Sequence, residues 1–158
     1  MQFERAIHAL HDAGVEFVVI GGLAATFHGG GRVTYDLDIC YSRVSANLSR
    51  LASALRPFRP RPRGFPPKLS FVWDEMTLYN ASILTLQTEI GEIDLLAEVA
   101  GLGTFEEVLC HSITVEAFER QIRTLELPAL IQAKRAAGRP KDLSDVAELE
   151  SILEAGQS

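Results

Sequence analysis

The sequence predicts an α/β (α+β) fold with a helical C-terminus, and three observations carry that prediction. Short β-branched or aromatic runs such as EFVVI alternate with stretches whose apolar residues recur every three or four positions. One such run passes directly into Gly21-Gly22 and then into good helix formers. The chain closes on two helical stretches separated by Gly138 and Pro140.

Taken in order, Phe3, Ala6, Ile7, Leu10 and His11 share one helical face, and Gly14 ends that helix. Residues 16–20 read as a buried strand. Residues 23–28, LAATFH, read as a short helix broken by the three glycines of HGGGR. YDLDICY, residues 35–41, alternates acid with apolar and reads as a strand. Residues 42–55 form a second amphipathic helix with Val44, Leu48, Leu51 and Leu55 on its apolar face. Residues 56–68, RPFRPRPRGFPPK, exclude a regular helix or a central strand and read as a connecting loop. SFVW, ASILTLQT and EIDLL then suggest two or three strands, with turns at Asn80 and Gly91. Residues 104–112 read as a short helix, and ITVEAFERQIRTLEL as a further strand or two. Residues 129–137 form a helix stopped by Gly138, and Pro140 opens a last helix to about Glu154. No repeat or second composition appears, so residues 1–158 are expected to form one domain.

Composition narrows the classes. The chain is 47% hydrophobic and 23% charged, ordinary for a folded protein. Its net charge of −6 and pI near 5.2 oppose bulk nucleic-acid binding and suit divalent cations and their nucleotide complexes. Cys40 and Cys110 lack a CxxC spacing and read as buried thiols; four histidines and two cysteines show no zinc spacing. The N-terminus carries Glu4, Arg5, Asp12 and Glu16, which no signal-peptide core would hold. No apolar run approaches the roughly 18–20 residues of a membrane span, so a cytoplasmic protein without membrane partners is expected.

The chemistry concentrates in three carboxylates. Asp36 and Asp38, two apart on a strand, face the same way, while Leu37 and Ile39 turn to the core. Two adjacent carboxylates repel unless a cation such as Mg²⁺ lies between them. The alternative is a solvent-facing acidic edge. Gly21-Gly22, at a strand-to-helix turn, lets backbone approach a ligand at a helix N-terminus, or simply makes a tight turn. Asp94, between Ile93 and Leu95, is a third strand carboxylate sharing its face with Glu92; it needs a partner if buried and none if exposed. His28 reads as structural at its helix end, and the arginine-proline segment as a solvated connection, with acceptor contact as the alternative.

VIGGLAATFHGGGRVTYDLDI resembles the signature of DNA polymerase β-type nucleotidyltransferases: apolar residue, Gly-Gly, a spacer, then Asp-x-Asp on a strand. Gly22 and Asp36 fit the long end of that spacing, and Asp94 matches the third acid on a later strand. GRVTYDLD, with Arg32 and Thr34, and LIQAKRAAGRPKDLSDVAEL are similar to small bacterial nucleotidyltransferases related to AbiEii-type toxins, although the long C-terminal extension of the larger toxins is missing. The resemblance implies a mixed β-sheet flanked by helices. It implies Mg²⁺ (or Mn²⁺) on Asp36, Asp38 and Asp94, and a nucleoside triphosphate such as ATP at Gly21, Gly22, Arg32, Thr34, Lys134 and Asp142, with Lys134 also catalytic. Arg139 and Lys141 are further carry-overs.

Three functions follow as expectations. One is transfer of a nucleoside monophosphate to a macromolecular hydroxyl, on RNA or protein, releasing pyrophosphate. The second is a non-catalytic binding module acting through a toxin or antitoxin partner. The third is a small-molecule nucleotidyltransferase of the antibiotic-modifying kind, for which the chain after Asp94 is short.

Overall fold

The structure, a computed structural model, describes residues 1–156; Gln157 and Ser158, the end of the expected domain, lie outside the described residues. The elements run α1 (Phe3–Asp12), β1 (Phe17–Ile20), α2 (Gly21–Phe27), β2 (Asp36–Tyr41) and α3 (Ser45–Leu55). A 3-10 turn (Arg56–Phe58) leads to β3 (Arg61–Pro62), α4 (Glu75–Tyr79), β4 (Ile83–Thr88) and β5 (Gly91–Leu96). The ribbon β6 (Glu98–Val99) and β7 (Gly103–Thr104) precedes α5 (Phe105–Cys110), β8 (Ser112–Ala117) and β9 (Arg120–Leu125). Helices α6 (Leu127–Ala137) and α7 (Pro140–Gly156) close the chain.

Seven strands form a mixed sheet in the order β3-β4-β5-β2-β1-β9-β8. β2 runs parallel to β5 and β1 parallel to β9, and the other neighbours are antiparallel. The expected mixed sheet flanked by helices is therefore what forms. Period-two alternation does its work at the centre: Leu37, Ile39, Ile93 and Leu95 are fully buried, while Asp36, Asp38, Glu92 and Asp94 line the opposite face. The α1 stripe buries Ala6, Ile7 and Leu10. Gly138 ends α6 at φ 68°, a left-handed geometry that glycine adopts without strain, and Pro140 then sits in the first turn of α7.

Several local expectations change. SFVW is not a strand. The Trp73 indole is buried and donates to the Ala52 carbonyl at 2.8 Å, which pins the segment to α3 and away from the sheet. Asp74 then caps α4, a helix the sequence reading missed, by accepting from the Thr77 backbone N–H at 3.0 Å. Asp74→Ala should cost about 1 kcal/mol in urea unfolding; an unchanged midpoint would show that the cap contributes nothing.

The arginine-proline segment is more than a connection, because β3 pairs with β4 as the edge strand, where proline's missing N–H is harmless. Val44 is 60% exposed, because α3 starts after it and the inward position belongs to Asn47. The Asn47 amide bonds Glu16 N, Glu16 O and Ser42 O. Cys40 is buried as expected, but Cys110, on the last residue of α5, is exposed. Helix α2 begins at Gly21 itself, so both glycines belong to its first turn. Among the described residues no helix is long and apolar enough to cross a membrane.

Candidate functional site

Strand register assembles the carboxylates. Asp38 lies opposite Asp94, and Asp36 opposite Glu92, across the parallel β2–β5 pair. Paired residues project from the same face, so three aspartates 58 positions apart in the chain at most meet on one surface. Each of Asp36, Asp38 and Asp94 offers an oxygen within 4.8 Å of the others.

Their electrostatics are unfavourable without a cation. Burial first, then the charges of Asp36 and Asp94 and side-chain hydrogen bonding with Asp94, push Asp38 up to about 8; Lys141 pulls the other way. Asp94 is also raised, by burial, against the opposing pull of Asp38 and Arg63. Asp38 Oδ1 is buried and has no hydrogen-bond partner. An all-oxygen set of this kind, with one buried oxygen unsatisfied, fits Mg²⁺ or Mn²⁺.

Gly21 and Gly22 stand against this cluster with no room for a side chain. A Cβ on Gly21, whose φ is 66°, would lie 2.1 Å from Asp38 Oδ2. One on Gly22 would lie 2.5 Å from Thr34 Oγ1. Thr34 Oγ1 itself donates to the Asp36 carbonyl at 3.2 Å, a bond within the segment that enters β2.

A cleft of about 460 Å³ opens from the carboxylates, lined by Gly22, Arg32 and Thr34 on one side and by α6 and α7 on the other. Lys134 is nearly buried, with Nζ 3.1 Å from Asp145 Oδ2, and Arg32 Nε reaches the other oxygen of Asp145 at 2.7 Å. Asp142 is buried at the start of α7, where its carboxylate accepts from the Arg139 backbone N–H at 3.3 Å and from its Nε at 2.6 Å. Burial opposes ionisation of Asp142, but the Arg139 hydrogen bonds and charge outweigh it and hold the carboxyl below its ordinary value. Its contacts are those of a helix-capping acid. Lys141 and Arg139 also line the cleft. Gly21 and Lys134 are thus brought to the same place as the three acids, and so are Gly22, Arg32, Thr34 and Asp142.

His28 lies outside this cluster. Its Nε2–H donates to the Leu125 carbonyl at 2.7 Å, a structural bond to the end of β9 and not to its own helix.

Two participants escaped the sequence reading. Asp145 bridges Lys134 and Arg32; its i+3 spacing from Asp142 on one helical face was the available signal. Arg63 reaches Asp94 Oδ1 at 2.8 Å and Glu92 Oε2 at 3.4 Å from the edge strand. No local pattern marks Arg63, because its approach depends on β3 pairing with β4 and β4 with β5.

A mixed sheet with this strand order, and carboxylates on its paired central strands beside a Gly-Gly turn, defines a class of fold: that of the nucleotidyltransferases. Solved structures agree. The lincosamide antibiotic adenylyltransferase LnuA, bound to lincomycin, superposes with a TM-score of 0.63 at 14% identity, over 96% of each chain. A Thermotoga maritima protein described as a nucleotidyltransferase gives 0.61 at 14% identity, over 94% of this chain and 90% of its own. An antigenic nucleotidyltransferase-like protein from Paracoccidioides brasiliensis gives 0.57 at 13% identity, over 98% of this chain and 75% of its own. No protein-family model and no curated protein matches the sequence. At these identities the likeness is one of fold.

Proposed function

We propose that this protein is a Mg²⁺- or Mn²⁺-dependent nucleotidyltransferase, a single domain over residues 1–158, moving a nucleoside monophosphate from a triphosphate such as ATP to a hydroxyl of RNA or protein. One observation carries the reading. Three strand carboxylates converge within 4.8 Å against two glycines that tolerate no side chain, and one buried oxygen among them lacks a partner.

In this reading Asp36, Asp38 and Asp94 hold the metal, which when bound supplies positive charge on the phosphates and lowers the pKa of a coordinated hydroxyl. The Gly21 and Gly22 backbone approaches the phosphates closely, and Thr34 lines the nucleotide cleft beside Gly22. Lys134 and Arg32 exchange Asp145 for triphosphate oxygens and neutralise the pyrophosphate as it leaves. Asp94 receives the acceptor proton as the acceptor oxygen bonds to the α-phosphorus and the bond to the bridging oxygen breaks. Asp142, through Arg139, sets the cleft wall at the start of α7 and so shapes nucleotide binding.

Kinship with AbiEii-type proteins, and with it a toxin–antitoxin partner, is the narrower part of the proposal and rests on the segments around Arg32 and Lys134. A cytoplasmic setting is the matching expectation for such a transferase. A second reading, a non-catalytic binding module, is favoured by one feature: Lys134, Arg32, Arg63 and Arg139 are all paired with acids inside the site.

Label transfer separates them. Protein is mixed with Mg²⁺ or Mn²⁺, each α-³²P nucleoside triphosphate in turn, and total tRNA or lysate, beside an Asp36→Ala, Asp38→Ala double variant. Macromolecular label that disappears in the variant is the expected result. No label, together with no nucleotide binding by calorimetry, would leave the binding module.

A further inference from the structure

The seven-stranded sheet has two edges, and they are built differently. The edge strand β3 is two residues long, contains Pro62 and is followed by Arg63. Short length, proline and positive charge keep a foreign strand off a sheet edge. β8, at the other edge, has none of these. Its six residues include the β-branched run Ile113, Thr114 and Val115, with no proline, lysine or arginine. β9 pairs with one side of it, and no strand pairs with the other among the described residues. Ile113, Thr114 and Glu116 are exposed.

This edge is also held in shape. Phe118 and Glu119 close the β8–β9 hairpin with φ of 54° and 64°, the two positive values that a tight hairpin turn requires. Neither is glycine, so tertiary contacts fix the turn. Phe118 packs against the core, its carbonyl accepts from His8 Nε2–H at 2.5 Å, and Arg120 Nε donates to Asp12 at 2.9 Å. A pre-formed edge loses little freedom when a strand joins it.

The edge is complementary to itself. A two-fold axis through Thr114, perpendicular to the sheet, sets Ile113 opposite Val115 of a second copy and Ser112 opposite its Glu116, with paired side chains on one face. On one face Ile113 and Val115 then cover each other across the seam. On the other, the incoming Glu116 arrives at Ser112, and Arg123 already points there: its Nη1 donates to Ser112 Oγ at 3.4 Å. Arg123 lies opposite Thr114 on β9, on the same face as Ser112 and Glu116. Within one chain neither Glu116 nor Arg123 has an acid–base partner among the described residues.

We propose that β8 docks β8 of a second copy of this chain, antiparallel about Thr114, and that two Arg123–Glu116 pairs fasten the seam. The two sheets become one continuous sheet. Asp38 lies opposite Ile20, and Val19 beside Thr124, so Arg123 and Asp38 share a sheet face. The axis is perpendicular to the sheet, so both carboxylate clusters lie on the same side of the dimer. The inference holds whether or not the site transfers nucleotides.

The test is sedimentation equilibrium of the full chain, without nucleotide, over a wide concentration series. Wild type should move from 17.3 kDa to twice that mass as concentration rises, and alternate amides of β8 should exchange more slowly with solvent as it does. Glu116→Lys and Arg123→Glu should each weaken association roughly 10-fold or more, because each sets like charges together at two symmetry-related points. Both residues are exposed, so the variants keep the monomer fold. The combined Glu116→Lys, Arg123→Glu variant restores opposite charges and should recover most of the lost affinity. A monomer at every concentration overturns the proposal and leaves the edge to a strand of another protein. Association that the single variants leave unchanged, or a combined variant no tighter than the singles, overturns it as well.

Discussion

Asp38→Asn should abolish transfer and, in the same molecule, stabilise the metal-free fold. Loss of transfer of at least ~10³-fold is expected, because Asp38 is the central carboxylate of the set and lies between Asp36 and Asp94. The gain in stability follows from what burial does to this group. In the folded chain its carboxyl titrates near 8, against an ordinary value of 3.8. The folded state therefore holds the proton more tightly than the unfolded state, and this group's effect on stability worsens as pH climbs from about 4 to about 8. Asparagine never ionises and escapes that loss. Wild type and variant should match near pH 4, diverge as pH rises, and differ by a constant amount above pH 8. The difference should be of the order of a few kcal/mol, since each unit by which the folded pKa is raised is worth about 1.4 kcal/mol. Urea unfolding in EDTA at pH 4.5, 6.5 and 8.5 reads it. Added Mg²⁺ should then raise the wild-type midpoint and leave Asp38→Asn in place. Parallel curves at all three pH values would show that Asp38 is not the unfavourable charge the geometry makes it.

Gly21→Ala should cost about 2–3 kcal/mol, from two separate sources. The residue sits at φ 66°, which an alanine adopts only with strain, and its new Cβ would lie 2.1 Å from Asp38 Oδ2 and 3.0 Å from Asp38 Cγ. Neither relief is harmless: the backbone can move away from β2, or Asp38 can leave its position beside Asp94. Metal affinity should therefore fall together with stability. Gly31→Ala is the matched control. Nothing lies within 4 Å of a Cβ there and its φ is not in the left-handed region, so a change within about 0.5 kcal/mol is expected. Thermal melts of the two variants, with Mn²⁺ titration by calorimetry, decide the matter. Equal melting points would mean that Gly21 is a turn residue without a claim on the site.

Much of the site was legible because its parts are local. The i, i+2 placement of Asp36 and Asp38 on one strand follows from the pleat, and burial of Leu37 and Ile39 beneath them is its complement. The strand running into Gly21-Gly22 could be read the same way, and so could the Gly138 stop and the Pro140 start. Asp94 was legible as a strand carboxylate and, through the family resemblance, as a third acid. Its place opposite Asp38 was not, since that requires β5 to insert between β4 and β2.

What failed was equally systematic. SFVW has strand composition, but an indole N–H seeking a buried acceptor took it to α3. Residue type alone predicts a buried Cys110, and its position on the outer face of α5 turns it outward. Val44 continued an apolar pattern that the start of α3 interrupted.

By itself the sequence determined most of the elements, the two-faced strands and the three acids with their glycine turn, because propensity and periodicity act over a few residues. Only tertiary structure decided which strands are neighbours, and hence that Arg63 faces Asp94 and that Asp145 joins Lys134 to Arg32. Pairing of distant strands and docking of helices are set by the burial of the whole apolar surface at once, which no short stretch of sequence encodes.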